Sequence, residues 1–214
     1  AAYEAGLSSA SQLGGKSWGI TQSGSSFHFM GAKIAKKEGL LLKYKPLQKV
    51  GAIIGALKSG QIDAWSIVPH IAKGLAKGGA VKIIGNVADY LPNYQVTSVF
   101  TSAANAAYER AKTEAFIAAF TKGAADFNAA LVDKTAGDAA AEDMVKLIHK
   151  YVYNTRPYEK AAPSIRNGAM RINSGAALNT TSIKEQLDWF KAEKLVKSSI
   201  NMDTLVDSSY VKTL

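Results

Sequence analysis

Apolar positions along the first hundred residues fall into two rhythms, one of period two and one of helical period. Residues 16–22 form a short β-prone run that ends in the turn-rich Ser23-Gly24-Ser25-Ser26. Phe27, Met30, Ile34 and Ala35 then recur at helical spacing, and Gly39 follows where a helix C-terminus takes a glycine. Residues 41–47 read as a second strand. Residues 48–59 read as a helix with Val50, Ile53, Ile54 and Leu57 on one face, closed by Gly60. Residues 62–68 read as a third strand, apolar enough to be buried on both sides, and Pro69 opens a helix at the position where proline is best tolerated. Residues 80–85 and 94–101 read as fourth and fifth strands around a loop at 89–93. This order predicts an α/β fold: a mostly parallel sheet with helices on both faces, joined by right-handed crossovers.

After Ser102 the strand signal nearly vanishes. Residues 103–130 are alanine-rich, with Phe116, Ile117, Phe120 and Phe127 spaced for helix packing. Residues 138–151 continue helical along Met144, Val145, Leu147 and Ile148, and a shorter helix over 156–167 starts at Pro157. Residues 171–179 are irregular. The helix over 181–194 carries Ile183, Leu187 and Phe190 on one face, with Thr181 or Ser182 as cap and Glu185 where a capping-box acid belongs. A short turn at 202–206 follows. A helical array with so little sheet reads as the outer layer of a second α/β domain whose sheet lies elsewhere.

Composition narrows the chemistry. Among 214 residues, 47% are hydrophobic and 20% charged, enough for a packed core and too few charges for a disordered chain. Cysteine is absent, which excludes disulfides, thiolate metal sites and a cysteine nucleophile. No apolar run reaches the roughly 18–20 residues that span a bilayer, and the N-terminus carries no signal-peptide pattern. The net charge of +9 biases encounters toward anions. The lysines are spread along the chain without aromatic interleaving, so a nucleic-acid partner is not expected.

Two strand-to-helix junctions carry the candidate chemistry. Gln22, Ser23, Gly24, Ser25 and Ser26 lie at the carboxyl end of a strand and the start of a helix, where free N–H groups and small hydroxyls suit an oxyanion. The alternative is that Ser23 or Ser25 only caps the helix. No Walker or GxGxxG pattern is present, so no nucleotide cofactor is expected. At the second junction Ser66 and His70 could face a pocket that Trp65 walls; the alternatives are that Trp65 is core and that a lone His before an apolar helix is surface or satisfied core. His28, His70 and His149 lack metal-ligand spacing, so no metal is expected, and no GxSxG elbow or acid–base pair anchors catalysis. Arg166 and Arg171 flank the late irregular stretch. Either could clamp a planar oxyanion, cap a helix or lie on the surface.

The stretch from Ala5 to Gln22 (AGLSSASQLGGKSWGITQ), continued by Ser23–Ser26, resembles the sulfonate/nitrate/taurine-type substrate-binding proteins of ABC importers, a superfamily that includes the NMT1/THI5-like proteins. The ALKSGQIDAW element from Ala56 to Trp65, with Pro69 after it, resembles an element common in that family. So do SIKEQLDWF from Ser182 to Phe190, Leu195-Val196 and Leu205-Val206-Asp207. The resemblance implies a type II periplasmic binding fold of two lobes with mostly parallel sheets, closing on a ligand between them. Residues 12–98 would be a complete second lobe. Residues 1–11 and 99–214 would be hinge and the helical portion of the first lobe, whose opening part would precede Ala1 and be missing here. Hinge candidates are residues 7–15 and 98–103.

The resemblance further implies that Gln22, Ser23, Gly24, Ser25 and Ser26 line the ligand cleft and that the turn carrying Trp65, Ser66 and His70 contributes to it; Arg171 is kept as a candidate ligand residue on its side-chain chemistry alone. Many members carry an acid just before the proline, where this chain has Val68, which argues against a cationic ligand. The expected function is extracytoplasmic capture of a small organic anion, periplasmic or lipid-anchored, by a monomer that meets an ABC permease. The expectation is a binding protein and not an enzyme. The rival is a THI5-like pyrimidine-precursor synthase, or an aminopyrimidine binder of the same fold. The synthase carries a cysteine-rich motif that this chain lacks.

Overall fold

A computed structural model describes residues 6–214. Its elements, after a 3-10 turn at Ala10–Leu13, are β1 (Ser17–Ile20), α1 (Ser26–Glu38), β2 (Lys43–Pro46), α2 (Val50–Lys58), α3 (Pro69–Lys77), α4 (Ala103–Tyr108), α5 (Arg110–Phe127), α6 (Gly137–Val152), α7 (Tyr158–Gly168), α8 (Thr180–Ala192) and α9 (Met202–Leu205). The protein is therefore mixed α/β, mostly helical, with a small parallel sheet. It divides into two compact units, Ala1–Val96 with Ser182–Asn201, and Thr97–Thr181 with Met202–Leu214.

In the first unit β1 is central. It pairs in parallel with β2, Ser17 opposite Lys43 and Ile20 opposite Pro46. On its other side it bridges to Ala64, whose carbonyl accepts the Gly19 N–H at 2.9 Å. Successive strand residues point to opposite faces. Trp18 and Ile20 pack with Leu13 and Ile34 of the α1 side. Gly19 faces the other way, where a Cβ would stand 2.6 Å from Ile62 Cδ1 and 2.8 Å from Ile53 Cγ2. Helices α1 and α2 thus cover opposite faces of three short extended segments. Gly31 of α1 plays the same part against the Trp18 indole, which a Cβ would meet at 2.7 Å.

The helix ends follow local chemistry. Gly39 closes α1 in the left-handed region, with φ 64, and Pro69 occupies the first turn of α3. Helix α8 starts at Thr180, one to two residues before the expected caps. Ser182 is consequently buried inside its first turn, where its hydroxyl accepts the Gln95 N–H at 3.0 Å. Glu185 reaches Lys33 of α1 at 2.6 Å rather than closing a capping box. Trp189 packs edge-on against Phe29 of α1.

Three expected strands are corrected. The third is reduced to the single bridge at Ala64, after which Trp65 turns to an edge contact with Phe27. The fourth and fifth, at 80–85 and 94–101, do not form. Strand propensity is expressed only against a partner strand, and the chain here is engaged otherwise. Tyr94 stacks on Phe29 at 5.4 Å, and the Gln95 carbonyl accepts from the Gln186 side chain at 3.1 Å. Val96, Val99 and Phe100 are exposed.

The second unit is helical. Leu131, Val145, Ala161 and Ile165 form its core with Ala130 and Ala141. A π-helical turn at Asn128–Val132 follows α5 and buries Asn128. The Asn128 side-chain amide donates to the Ile172 carbonyl at 2.7 Å and its oxygen accepts the Ile172 N–H at 3.1 Å. This pair satisfies both backbone groups of Ile172, in the irregular segment after α7, as a strand neighbour would.

Candidate functional site

Because β1, β2 and the Ala64 segment run parallel, their carboxyl ends share one edge of the sheet. The chain leaves β1 into residues 21–25 and leaves Ala64 into residues 65–68. This is the edge at which ligands sit in open α/β sheets. The Phe27 and Trp65 rings meet there at 5.4 Å. The structure therefore brings together the two junctions singled out in the sequence.

At the first junction Gln22, Ser23, Gly24 and Ser25 make a tight turn, closed by the Ser25 N–H on the Gln22 carbonyl at 3.1 Å. Gly24 has φ +80, the positive value a type II turn needs at its third position. Gln22 and Ser23 are exposed, while Gly24, Ser25 and Ser26 are half-buried. Ser25 is the N-cap of α1, its hydroxyl accepting the His28 N–H at 3.4 Å. Ser26 is the first helical residue. The capping role of Ser25 and the orientation of α1 toward the edge coexist, since a helix N-terminus leaves N–H groups in excess of what one cap satisfies.

At the second junction Ser66 is 5% exposed, and its Oγ has no hydrogen-bond partner; neither has the buried Trp65 Nε1. His70 lies in the first turn of α3, half-buried, with Nδ1 shielded from solvent. Arg171 belongs to the other unit. Its guanidinium forks onto both oxygens of the Asp133 carboxylate, and that hydrogen bond holds the Asp133 carboxyl below its ordinary range. Its fork is thus engaged within its own unit.

Two further residues shape this edge that sequence reasoning did not select, and a third holds the far end of β1. Gln48 adopts φ 67 and donates its N–H to the Thr21 carbonyl at 2.9 Å, which fixes the loop beside the end of β2. His28 accepts the Gly24 N–H on Nδ1 at 3.1 Å. Asp63 holds the opposite end of β1: Ser17 N–H and Oγ donate to it at 2.8 and 2.6 Å. Burial alone would raise the Asp63 carboxyl. The Ser17 hydrogen bonds, with Lys16 and Lys43, outweigh it and hold the group below its usual value. Only the sequence position of His28 one turn after Gly24 hinted at any of these contacts.

An open groove of about 460 Å³ between α1 and α8 is lined by Lys33, Lys36, Glu185, Asp188 and Trp189. With Glu193 it carries two lysines and three carboxylates, so it offers no field of one sign to a charged solute. Among the described residues no group of three or more His, Asp or Glu side chains is arranged to hold a metal ion. No helix among them is long and apolar enough to cross a membrane.

The first unit is a parallel α/β arrangement with polar loops at the carboxyl edge of its small sheet. The NMT1/THI5-like family model matches residues 1–130, and the chain belongs to that family. The family includes substrate-binding proteins of ABC importers and THI5-type synthases. No curated protein and no solved structure matches the chain.

Proposed function

We propose that this chain is the solute-binding component of an ABC importer, working outside the cytoplasm in the periplasm or on a lipid anchor. It captures a small organic anion, a sulfonate or a carboxylate, and presents it to a membrane permease. The observation that carries this reading is the pair of shielded, unpartnered polar atoms at the carboxyl edge, Trp65 Nε1 and Ser66 Oγ. An indole N–H can only donate, so the partner it lacks is an acceptor. A buried polar group without a partner costs about 1–3 kcal/mol, a cost that a ligand oxygen at this place removes. The 21–25 turn and the positive end of the α1 dipole add a preference for negative charge. Val68, where many members of the resembled family carry an acid, leaves no carboxylate there for an amine-bearing solute.

Capture rather than catalysis is the role we assign. The synthases of this family would need a cysteine-rich motif, and this sequence contains no cysteine. The test is thermal stabilisation of the 214-residue chain against taurine, alkanesulfonates, small carboxylates, nitrate and aminopyrimidines. Stabilisation by sulfonates or carboxylates is expected. Stabilisation by aminopyrimidines alone, or by none of the panel, contradicts the anion reading.

A further inference from the structure

His28 occupies the third residue of α1, the position from which a capping-box Glu or Gln reaches back over the helix N-terminus. Here the imidazole does so. The Gly24 N–H donates to His28 Nδ1 at 3.1 Å, one residue before the Ser25 cap. A Glu in this place accepts across the physiological range, whereas a histidine accepts on Nδ1 only while that nitrogen carries no proton. The ring is fixed from two sides, edge-on to Tyr44 of β2 at 4.4 Å and to Trp189 of α8 at 5.0 Å. Gly24 itself is hemmed by Phe190 and Leu195, which a Cβ would meet at 3.3 and 3.4 Å.

We propose that His28 is the positioning residue of the 22–25 turn and that its protonation releases the turn, a pH-sensitive lock on the loop at the carboxyl edge. The imidazolium has no lone pair for the Gly24 N–H, and the two donors then face one another. The titratable groups set against the ring are Tyr44 from β2 and Glu193 just past α8. Burial lowers His28 below 6.5, and the Glu193 carboxylate opposes that in part. The N-terminal end of the helix dipole also disfavours a cation there. Tyr44, raised to about 12 by its own burial first and by Glu193 second, stays neutral while His28 titrates. The lock therefore opens below the ordinary histidine value of 6.5. Its bearing on solute capture rests on the proposed function. The lock itself does not, and its test uses no ligand.

The experiment is nuclear magnetic resonance on the ¹⁵N-labelled chain. Long-range ¹H–¹⁵N spectra at about pH 8 report the neutral tautomer, and the Gly24 amide is followed down to about pH 5, across the interval where histidine titrates. The expected tautomer carries its proton on Nε2, with Nδ1 bare. The Gly24 amide is expected to shift with the same midpoint as the His28 ring, below 6.5. His28→Gln, which keeps an acceptor at this position but cannot titrate, is expected to hold Gly24 at its high-pH shift throughout. A proton on Nδ1 in the neutral form overturns the proposal. So does a Gly24 amide that does not track the ring. Should the variant fail to fold, the tautomer and the wild-type Gly24 titration decide the matter.

Discussion

Ser17 and Asp63 hold each other from both ends. The Ser17 N–H and hydroxyl both donate to one Asp63 oxygen, at 2.8 and 2.6 Å, and the Asp63 N–H donates back to Ser17 Oγ at 2.9 Å. The segment that leads to Trp65 and Ser66 is thereby set in register with β1 at the end of the sheet remote from the candidate site. Asp63→Ala removes a charged acceptor and leaves Ser17 donors half-buried. We expect a loss of about 2 kcal/mol, in the range of hydrogen bonds to charged groups, read as a lower urea midpoint with unchanged slope.

The same carboxylate gives an acid dependence of known sign. Its folded pKa lies below the unfolded value of 3.8. The stabilisation is complete above 3.8 and is lost as pH falls through the folded value. Urea midpoints of wild type and Asp63→Asn should converge at low pH. Midpoints that differ by a constant amount across the acid range would assign the loss to packing.

Glycines at two kinds of place should respond in opposite ways. Gly19→Ala forces a methyl to within 2.6 Å of Ile62 and Gly31→Ala forces one to within 2.7 Å of Trp18. Each is expected to cost about 1–3 kcal/mol by overpacking. Gly55 of α2 has open space at its Cβ position, so Gly55→Ala should stabilise by up to about 1 kcal/mol through helix propensity. Thermal melts of the three variants check the order.

In the second unit Asn128→Ala deletes both hydrogen bonds to Ile172 and strands two backbone groups. The expected loss is about 2–3 kcal/mol for buried groups left unpaired. Amide exchange should quicken at Ile172 and in the helices around Val145 and Ile165.

The helices were legible because their signals are local. Gly39, Pro69 and the helical spacing of Phe27, Met30 and Ile34 and of Met144, Val145 and Ile148 act within a turn or two of the chain. The outer strands were not legible, because a strand is completed by a distant partner. Gln95 reads as part of a β-branched run, yet its N–H and carbonyl are taken by Ser182 and Gln186 of α8, about ninety positions on. The candidate site divides the same way. The two junctions around Gly24 and Ser66 are marked by strand-to-helix transitions. The contacts of Gln48, His28 and Asp63 are made through space. Arg171 was visible as an arginine, but its partner Asp133, 38 positions earlier, was not.

In the proposed function the shielded donors of Trp65 and Ser66 await a ligand acceptor. Isothermal titration with the sulfonate or carboxylate that stabilises the chain best, on wild type, Trp65→Phe and Ser66→Ala, tests it most directly. Since Ser66 Oγ has no partner in the protein, Ser66→Ala should melt no lower than wild type, whereas Trp65→Phe also trims packing against Phe27 and is read through binding alone. Each should nonetheless bind roughly tenfold more weakly, the share of one hydrogen bond in affinity. Variants that bind as tightly as wild type, or a Ser66→Ala protein that loses stability in step with binding, would contradict it.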